Sequence, residues 1–286
     1  MVDTLIRGGR VVDGTGETWF YGDVAITGDT VSILRSEHEG VEAGRVIDAT
    51  GRVVCPGFID MHSHSEMMML AYPDHEPKVR QGVTTETIGQ DGLSYAPISP
   101  GNLDSLLLYL AAVNGSRPTD LKWSSVKEFL DLFEGRASAS VAYFVPHMAV
   151  RVEAMGWDAR LGTEAELVHM QQMVRQGMME GAFGFSTGLT YPPGAYSNTS
   201  ELVTLCEPIR ESGAIYVTHA RYDLGDRLLD PFHEALAIGR HAEVPVHISH
   251  FHSPVAGLAE RMVALVDEGA QLRHRRNLRP VPISCL

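Results

Sequence analysis

Residues 56–69 read PGFIDMHSHSEMMM, with two histidines two places apart directly after a short apolar run (Val53, Val54, Cys55, Phe58, Ile59). Residues i and i+2 of an extended strand project to one face. His62 and His64 would therefore aim two imidazoles at one spot, the arrangement that a metal ion needs. His-x-His alone describes a strand end with two solvated histidines equally well. The sequence around it has to discriminate.

The texture differs on the two sides of this stretch. Before it, DTLIRGGRVVDGTG (3–16), GDVAITGDTVSIL (22–34) and GRVIDATGRVVCPGFID (44–60) pair β-branched runs with Gly-rich or Gly-Asp turns. They predict a small antiparallel β unit over residues 1–55, with AITGDTVSIL as its tightest hairpin. After Pro56 the pattern becomes strand–helix alternation. Strands are predicted at Val53–Met61, Val83–Gly89, Val141–Pro146, Ala182–Ser186, Ile215–His219 and Val244–His250. Helices are predicted at Leu103–Val113, Val126–Phe133, Glu164–Glu180, Glu201–Ser212, Arg227–His241 and Gly257–Glu268. Thr163 followed three places later by Glu166 is a capping-box signature for the third of these. Its apolar stripe Leu167, Met170, Met173 and Val174 is core spacing. Repeated β–α units of about 30 residues mean parallel strands with right-handed crossovers. The expected fold class is α/β, a (β/α)8 TIM-type barrel of which about six strands are present, over residues 56–270.

A chain of 286 residues with 44% hydrophobic and 21% charged residues has enough apolar material for such a core. Its formal net charge of −13 argues against nucleic acid or an anionic membrane surface as partner. The N-terminal stretch MVDTLIRGGRVVDG lacks the apolar core of a signal peptide, and no run reaches membrane-spanning length. Cys55, Cys206 and Cys285 are too few and scattered for a disulfide framework, so a cytoplasmic location is expected. Cys55 and Cys206, in apolar surroundings, read as packed thiols rather than ligands. Oligomeric state leaves no trace in the sequence.

In a (β/α) barrel the chemistry sits at the C-terminal ends of the strands. The first predicted strand ends in His62 and His64. The second runs TTETIGQDG to Asp91, the fifth ends in His219 and the sixth in His250. The steps from His62 to Asp91 (29 residues) and from His219 to His250 (31 residues) are each about one β–α unit. Four imidazoles and one carboxylate from separate strands can hold one or two divalent ions, with Asp91 placed to bridge them. Zinc suits that donor set, and manganese, cobalt and iron remain open. His147, after the third strand, reads as a supporting or structural residue. His75, His169, His233, His241 and His274 fall in helical or tail segments and are expected to face solvent.

These stretches resemble the amidohydrolase superfamily and, within it, the N-acyl-D-amino-acid deacylases (D-aminoacylases). LIRGGRVVDGTG and DVAITGDTV are similar to that family's N-terminal β-sandwich. VVCPGFIDMHSHSE resembles its first barrel strand and RQGVTTETIGQDGLSYAP its second. GAFGFSTGLTYPPGAYS resembles its fourth-strand loop, and YVTHAR and VPVHISHFH its fifth and sixth strands. The likeness runs from residue 1 to about 270.

The resemblance implies metal-dependent hydrolysis of the amide in an N-acyl-D-amino acid, a small-molecule substrate, by metal-activated water. It implies that Asp91 stands where the family carries a metal-bridging Cys, a harder donor that shifts metal preference. His252 stands where many relatives carry Lys. Tyr191, in GLTYPPG, becomes a candidate for contacting substrate or the developing oxyanion. Arg221 and Arg151 become candidates for the substrate carboxylate. The related hydantoinases bridge their metals with a carbamylated Lys at the end of the fourth strand. Lys78, Lys122 and Lys127 all lie outside that strand, which excludes such a centre.

The family's eighth strand supplies a general-base Asp that has no counterpart here. The tail over residues 271–286 carries four arginines and no acidic residue in LRHRRNLRPVPISCL (272–286). A one-base shift permits codons reading Thr-Tyr-Asp-Pro-Tyr-Pro-Tyr across residues 277–283, similar to the family's seventh-strand motif; the other reading is a basic arm for an acidic partner. On either reading the barrel is expected to lack two strands, leaving unpaired edges, low stability and little turnover. Two other functions stay open: a metal-dependent amidohydrolase acting on a cyclic amide or dipeptide, and a non-catalytic remnant of the fold.

Overall fold

The computed structural model describes residues 1–35, 40–118, 121–222, 229–252 and 257–274. The chain divides into two compact units, Met1–Phe58 and Ile59–Leu286. The first is a five-stranded sheet of β1 (Val2–Val11), β2 (Phe20–Thr27), β3 (Thr30–Leu34), β4 (Ala43–Asp48) and β5 (Val53–Val54). The order is β3-β2-β1-β4, with β5 also on β1. β2 and β3 form the predicted hairpin, Thr27 opposite Thr30 across Gly28-Asp29. Gly28 takes φ +57, a value that a two-residue hairpin loop favours. The expected antiparallel unit is corrected in one respect. β4 and β5 lie parallel to β1, so the sheet is mixed. Among the described residues this unit is one sheet, with Leu5, Val11, Val24 and Ala25 buried on it.

The single strand predicted over Val53–Met61 is two. β5 belongs to the first sheet, whereas β6 (Phe58–Asp60) opens the second. Pro56, which has no N–H to give to a ladder, stands in the break. Cys55 also lies in it and is exposed, not packed as expected; Cys206 is fully buried.

The second unit alternates strands and helices. β6 is followed by two short helices, α1 (Glu66–Ala71) and α2 (Glu76–Val79), neither of which was predicted. Then come β7 (Val83–Ile88), α3 (Pro100–Asn114), α4 (Val126–Asp131), β8 (Ser140–Pro146), α5 (His147–Met155) and α6 (Glu164–Met179). The unit continues through β9 (Gly184–Gly188), α7 (Thr199–Glu211), β10 (Ile215–His219), α8 (Asp230–Ala242), β11 (Val246–Ser249) and α9 (Ala259–His274). The six strands form one sheet in chain order, β6 to β11, curled into part of a barrel. The ladders from β7 to β11 are parallel, as a repeated β–α crossover requires.

Caps fix where the helices start. Ser125 with Glu128, and Thr163 with Glu166, form reciprocal capping boxes on α4 and α6; Asn198 caps α7. The helices bury their apolar stripes on the sheet's outer face, with Met170 and Val174 of α6 and Leu202, Leu205 and Ile209 of α7 fully buried. Inside the curl, Phe144, Ile215 and Val217 form a small cluster of their own. Most of the 271–286 tail lies outside the described residues; α9 runs into it as far as His274.

Candidate metal centre

Four of the six strands of the curled sheet, β6, β7, β10 and β11, deliver side chains from just at or past their ends to one place. Asp91 is the hub. It sits three residues past β7 in a 3-10 turn, Gln90–Gly92, at φ +54. Gly89 and Gly92 on either side also take positive φ, +78 and +65. Asp tolerates this conformation better than most residues and Gly adopts it freely, which accounts for the sequence Gly-Gln-Asp-Gly. The turn is clamped from β9. Ser186 Oγ accepts the Gly92 N–H at 3.1 Å and donates to the Gly89 carbonyl. A Cβ on Gly188 would come within 2.1 Å of the Asp91 carbonyl oxygen. Only glycine lets β9 approach that closely.

Around Asp91 Oδ2 stand His62 Nε2 at 3.3 Å, His64 Nε2 at 3.4 Å, His250 Nε2 at 3.3 Å and His219 Nδ1 at 3.8 Å. Four ring nitrogens around one oxygen at these distances are too long for good hydrogen bonds, whose mode is about 2.9 Å. They match donors sharing an ion: bonds of about 2.05 Å to a tetrahedral zinc put neighbouring donors about 3.3 Å apart. Ligand atoms of His62, Asp91 and His250 lie within 4.8 Å of one another. Asp91 Oδ1, His62 Nε2 and His64 Nδ1 are buried and make no hydrogen bond among the described residues. Buried polar atoms are normally satisfied. Left over in a cluster of imidazoles and a carboxylate, they fit a divalent cation.

The electrostatics agree. Burial pushes the Asp91 carboxyl up, but the facing imidazoles of His250, His62 and His64 outweigh it and hold it far below the usual carboxylate range. Burial pulls His64 down, yet Asp91 and the nearby Glu66 raise it overall. Asp91 likewise raises His250.

Supporting residues fix the rings. Thr190 Oγ1 lies 2.9 Å from His219 Nε2, which turns Nδ1 of that ring toward Asp91. Tyr222 Oη lies 2.7 Å from the Ser249 carbonyl and 2.9 Å from that of His250, where the chain takes φ +51. Gln90 Nε2 donates to the Met61 carbonyl and to Thr87 Oγ1, tying the end of β6 to β7. His247, buried in β11, is pushed down by burial and by the neighbouring His62. None of these four was read as functional from the sequence. Thr190, Gln90 and His247 lay in stretches already singled out, GLTYPPG, TTETIGQDG and VPVHISHFH; Tyr222 lay just beyond YVTHAR.

The ring of Tyr191 stands 4.8 Å from that of His219, beside the cluster. The two arginines expected to meet substrate do not offer their guanidinium groups. Arg151 is fully buried; its Nη1 contacts Glu201 Oε1 at 2.5 Å and its Nη2 donates to the Arg160 carbonyl. Arg221 donates to Glu234 and to the carbonyls of Leu189, Ala195 and Ser197, so it fastens the 189–197 loop. Each is engaged by protein groups. His147 is fully buried against Glu201 at 3.0 Å. His252 is exposed and stacks on Tyr222. His75, expected in solvent, is buried and faces Glu86, whereas His169, His233 and His241 are exposed.

Comparison with known proteins gives the same family as the motifs. The model of an amidohydrolase family matches residues 45–273. N-acyl-D-aspartate deacylase of Alcaligenes xylosoxydans xylosoxydans is 36% identical over 250 residues, 87% of this chain and 49% of its own length. A D-aminoacylase described by its binuclear metal centre superposes with a TM-score of 0.82 at 31% identity, over 95% of this chain and 56% of that one. N-acyl-D-glutamate deacylase from Bordetella bronchiseptica, in complex with zinc and a phosphonate mimic of the tetrahedral intermediate, gives 0.83 at 31% identity, over 94% and 56%. The chain spans about half the length of the curated relatives it matches.

Proposed function

From the premise that this chain belongs to the amidohydrolase family, we propose that it serves the metal-dependent hydrolysis of N-acyl-D-amino acids, releasing a carboxylic acid and a D-amino acid. One observation carries the reading: four imidazole nitrogens from three strand ends surround a single buried carboxylate oxygen at 3.3–3.8 Å. His62, His64, Asp91, His219 and His250 would hold one or two divalent ions, with zinc first by donor type. Such an ion supplies Lewis-acid chemistry, making a water more acidic and polarising an amide carbonyl.

The chain's own residues prepare the place. Asp91 gathers the four rings, and Thr190 and Tyr222 set the orientation of two of them. Tyr191, beside His219, would bear on the substrate or on the oxyanion that develops at its carbonyl. Arg221 would act one step back, holding the loop that carries Tyr191. No described helix is long and apolar enough to cross a membrane. A cytoplasmic setting goes with this reading, since Cys55 and Cys206 are both free thiols among the described residues.

The test is turnover with metal analysis. The zinc-loaded protein is offered N-acetyl-D-amino acids, their L-enantiomers and cyclic amides, both as this chain and as a full-length relative. D-selective amide cleavage by the relative, together with zinc bound by this chain, is expected. Preference for cyclic amides, or failure of the chain to bind zinc, would reject the reading.

Proton competition gives a second prediction. Asp91 keeps protons on His64 and His250 to a higher pH than an ordinary imidazole, about 6.5. An incoming ion must displace those protons, so affinity falls as pH drops through that range. Zinc titrated against a competing chelator should bind at least about tenfold more weakly near pH 6 than near pH 8, releasing protons as it binds. Equal affinity at both would mean that these imidazoles are not ligands.

A further inference from the structure

The stretch TTETIGQDG carries two acidic residues, and Asp91 accounts for only one. Glu86, within β7, is fully buried. A carboxylate there is costly unless its oxygens are met. Oε2 receives Ser63 Oγ at 2.5 Å and Ser65 Oγ at 2.6 Å, with Lys78 Nζ 3.7 Å away. Oε1 faces His75 Nε2. Lys78 also reaches Asp60, whose other oxygen accepts the His62 N–H at 3.1 Å.

Ser63 and Ser65 alternate in sequence with His62 and His64. The histidines turn to Asp91 and the serines to Glu86. One strand and the turn after it therefore grip residues 62–65 from both sides. Nothing else on the serine side offers a carboxylate oxygen to both hydroxyls among the described residues.

We propose that Glu86 is a positioning residue for the metal site: through Ser63 and Ser65 it sets the direction in which His62 and His64 present their nitrogens. This rests on the metal reading above, because without an ion the direction of the rings has no consequence. Removing an outer partner of a ligand typically costs about 10–100-fold in metal affinity.

The experiment uses the whole chain and zinc or cobalt(II) alone. Glu86→Ala should weaken zinc binding on the order of 10–100-fold and change the visible absorption of the cobalt(II) form. Glu86→Gln, which keeps an oxygen for the two hydroxyls, should recover most of the affinity and the original spectrum. A hub that only stabilises the fold would lower the melting temperature without moving the cobalt bands. If Glu86→Ala yields no folded chain, Ser63→Ala with Ser65→Ala replaces it, with the same direction expected. Zinc affinity and cobalt spectrum unchanged in the folded variant would overturn the proposal while leaving the metal site standing. An unmodified chain that binds no zinc would overturn both.

Discussion

Asp91→Ala should all but abolish zinc binding while leaving the chain folded. Asp91 Oδ2 is the common neighbour of all four imidazoles, and the carboxylate is almost completely buried. A complete zinc site is worth about 10–16 kcal/mol. One donor in four is then roughly 3 kcal/mol, or about two orders of magnitude in affinity. The true loss should be larger, because the negative charge that offsets the ion goes with the donor. Asp91→Cys places in the turn the residue that the resembling family carries, and it should keep part of the affinity with a preference for softer metals. Competition titration with a chromophoric chelator measures both. A Glu86 substitution moves ligands and Asp91→Ala removes one, so the second loss should exceed the first. Wild-type affinity in Asp91→Ala would end the metal reading.

Glu201→Ala should be the most destabilising single change away from the strand ends. Glu201 belongs to α7, yet it holds two residues of α5: His147 at 3.0 Å and Arg151 at 2.5 Å. Arg151 in turn donates to the Arg160 carbonyl in the turn after α5. Burial would raise the Glu201 carboxyl, but His147 and Arg151 bring it below its ordinary value. Burial pushes His147 down despite Glu201 beside it. Deleting the carboxylate leaves the Arg151 guanidinium buried without its counter-charge, a loss of about 3–5 kcal/mol. At about 2–4 °C per kcal/mol for a domain of this size, the melting temperature should drop by roughly 10 °C. The double variant Arg151→Met, Glu201→Leu should lose less than Glu201→Ala alone, since apolar replacements of a buried pair are often tolerated. Equal thermal transitions for wild type and Glu201→Ala would show that the pair is not what couples α5 to α7.

The strand ends were legible because periodicity and barrel topology constrain them together. β7, β8, β10 and β11 fall within two residues of their predicted spans, and the side chains at or just past the ends of β7, β10 and β11 meet at Asp91. β9 begins two residues later than Ala182, because pairing with β8 and β10 sets its register. α5 was missed because it starts immediately after Pro146, with no turn residue to announce it, and carries β-branched Val150 and Val152. The protein partners of Arg151 and Arg221 were illegible for a different reason. A lone arginine suits a substrate carboxylate as well as a protein partner, and nothing local reveals a Glu201 50 residues away. His75 was lost in the same manner, since its partner Glu86 belongs to the next strand. Composition and pattern report which face a residue occupies. They are silent about which distant group completes it.

The curl of the six-stranded sheet has a mechanical corollary. Laid flat, five inter-strand steps of about 4.8 Å would hold β6 and β11 about 24 Å apart. The rings borne just past their ends, His62 and His250, instead stand 4.5 Å apart. A cation gripped by both would buckle the two margins of the roll together, so that unrolling the sheet and releasing the ion become a single event.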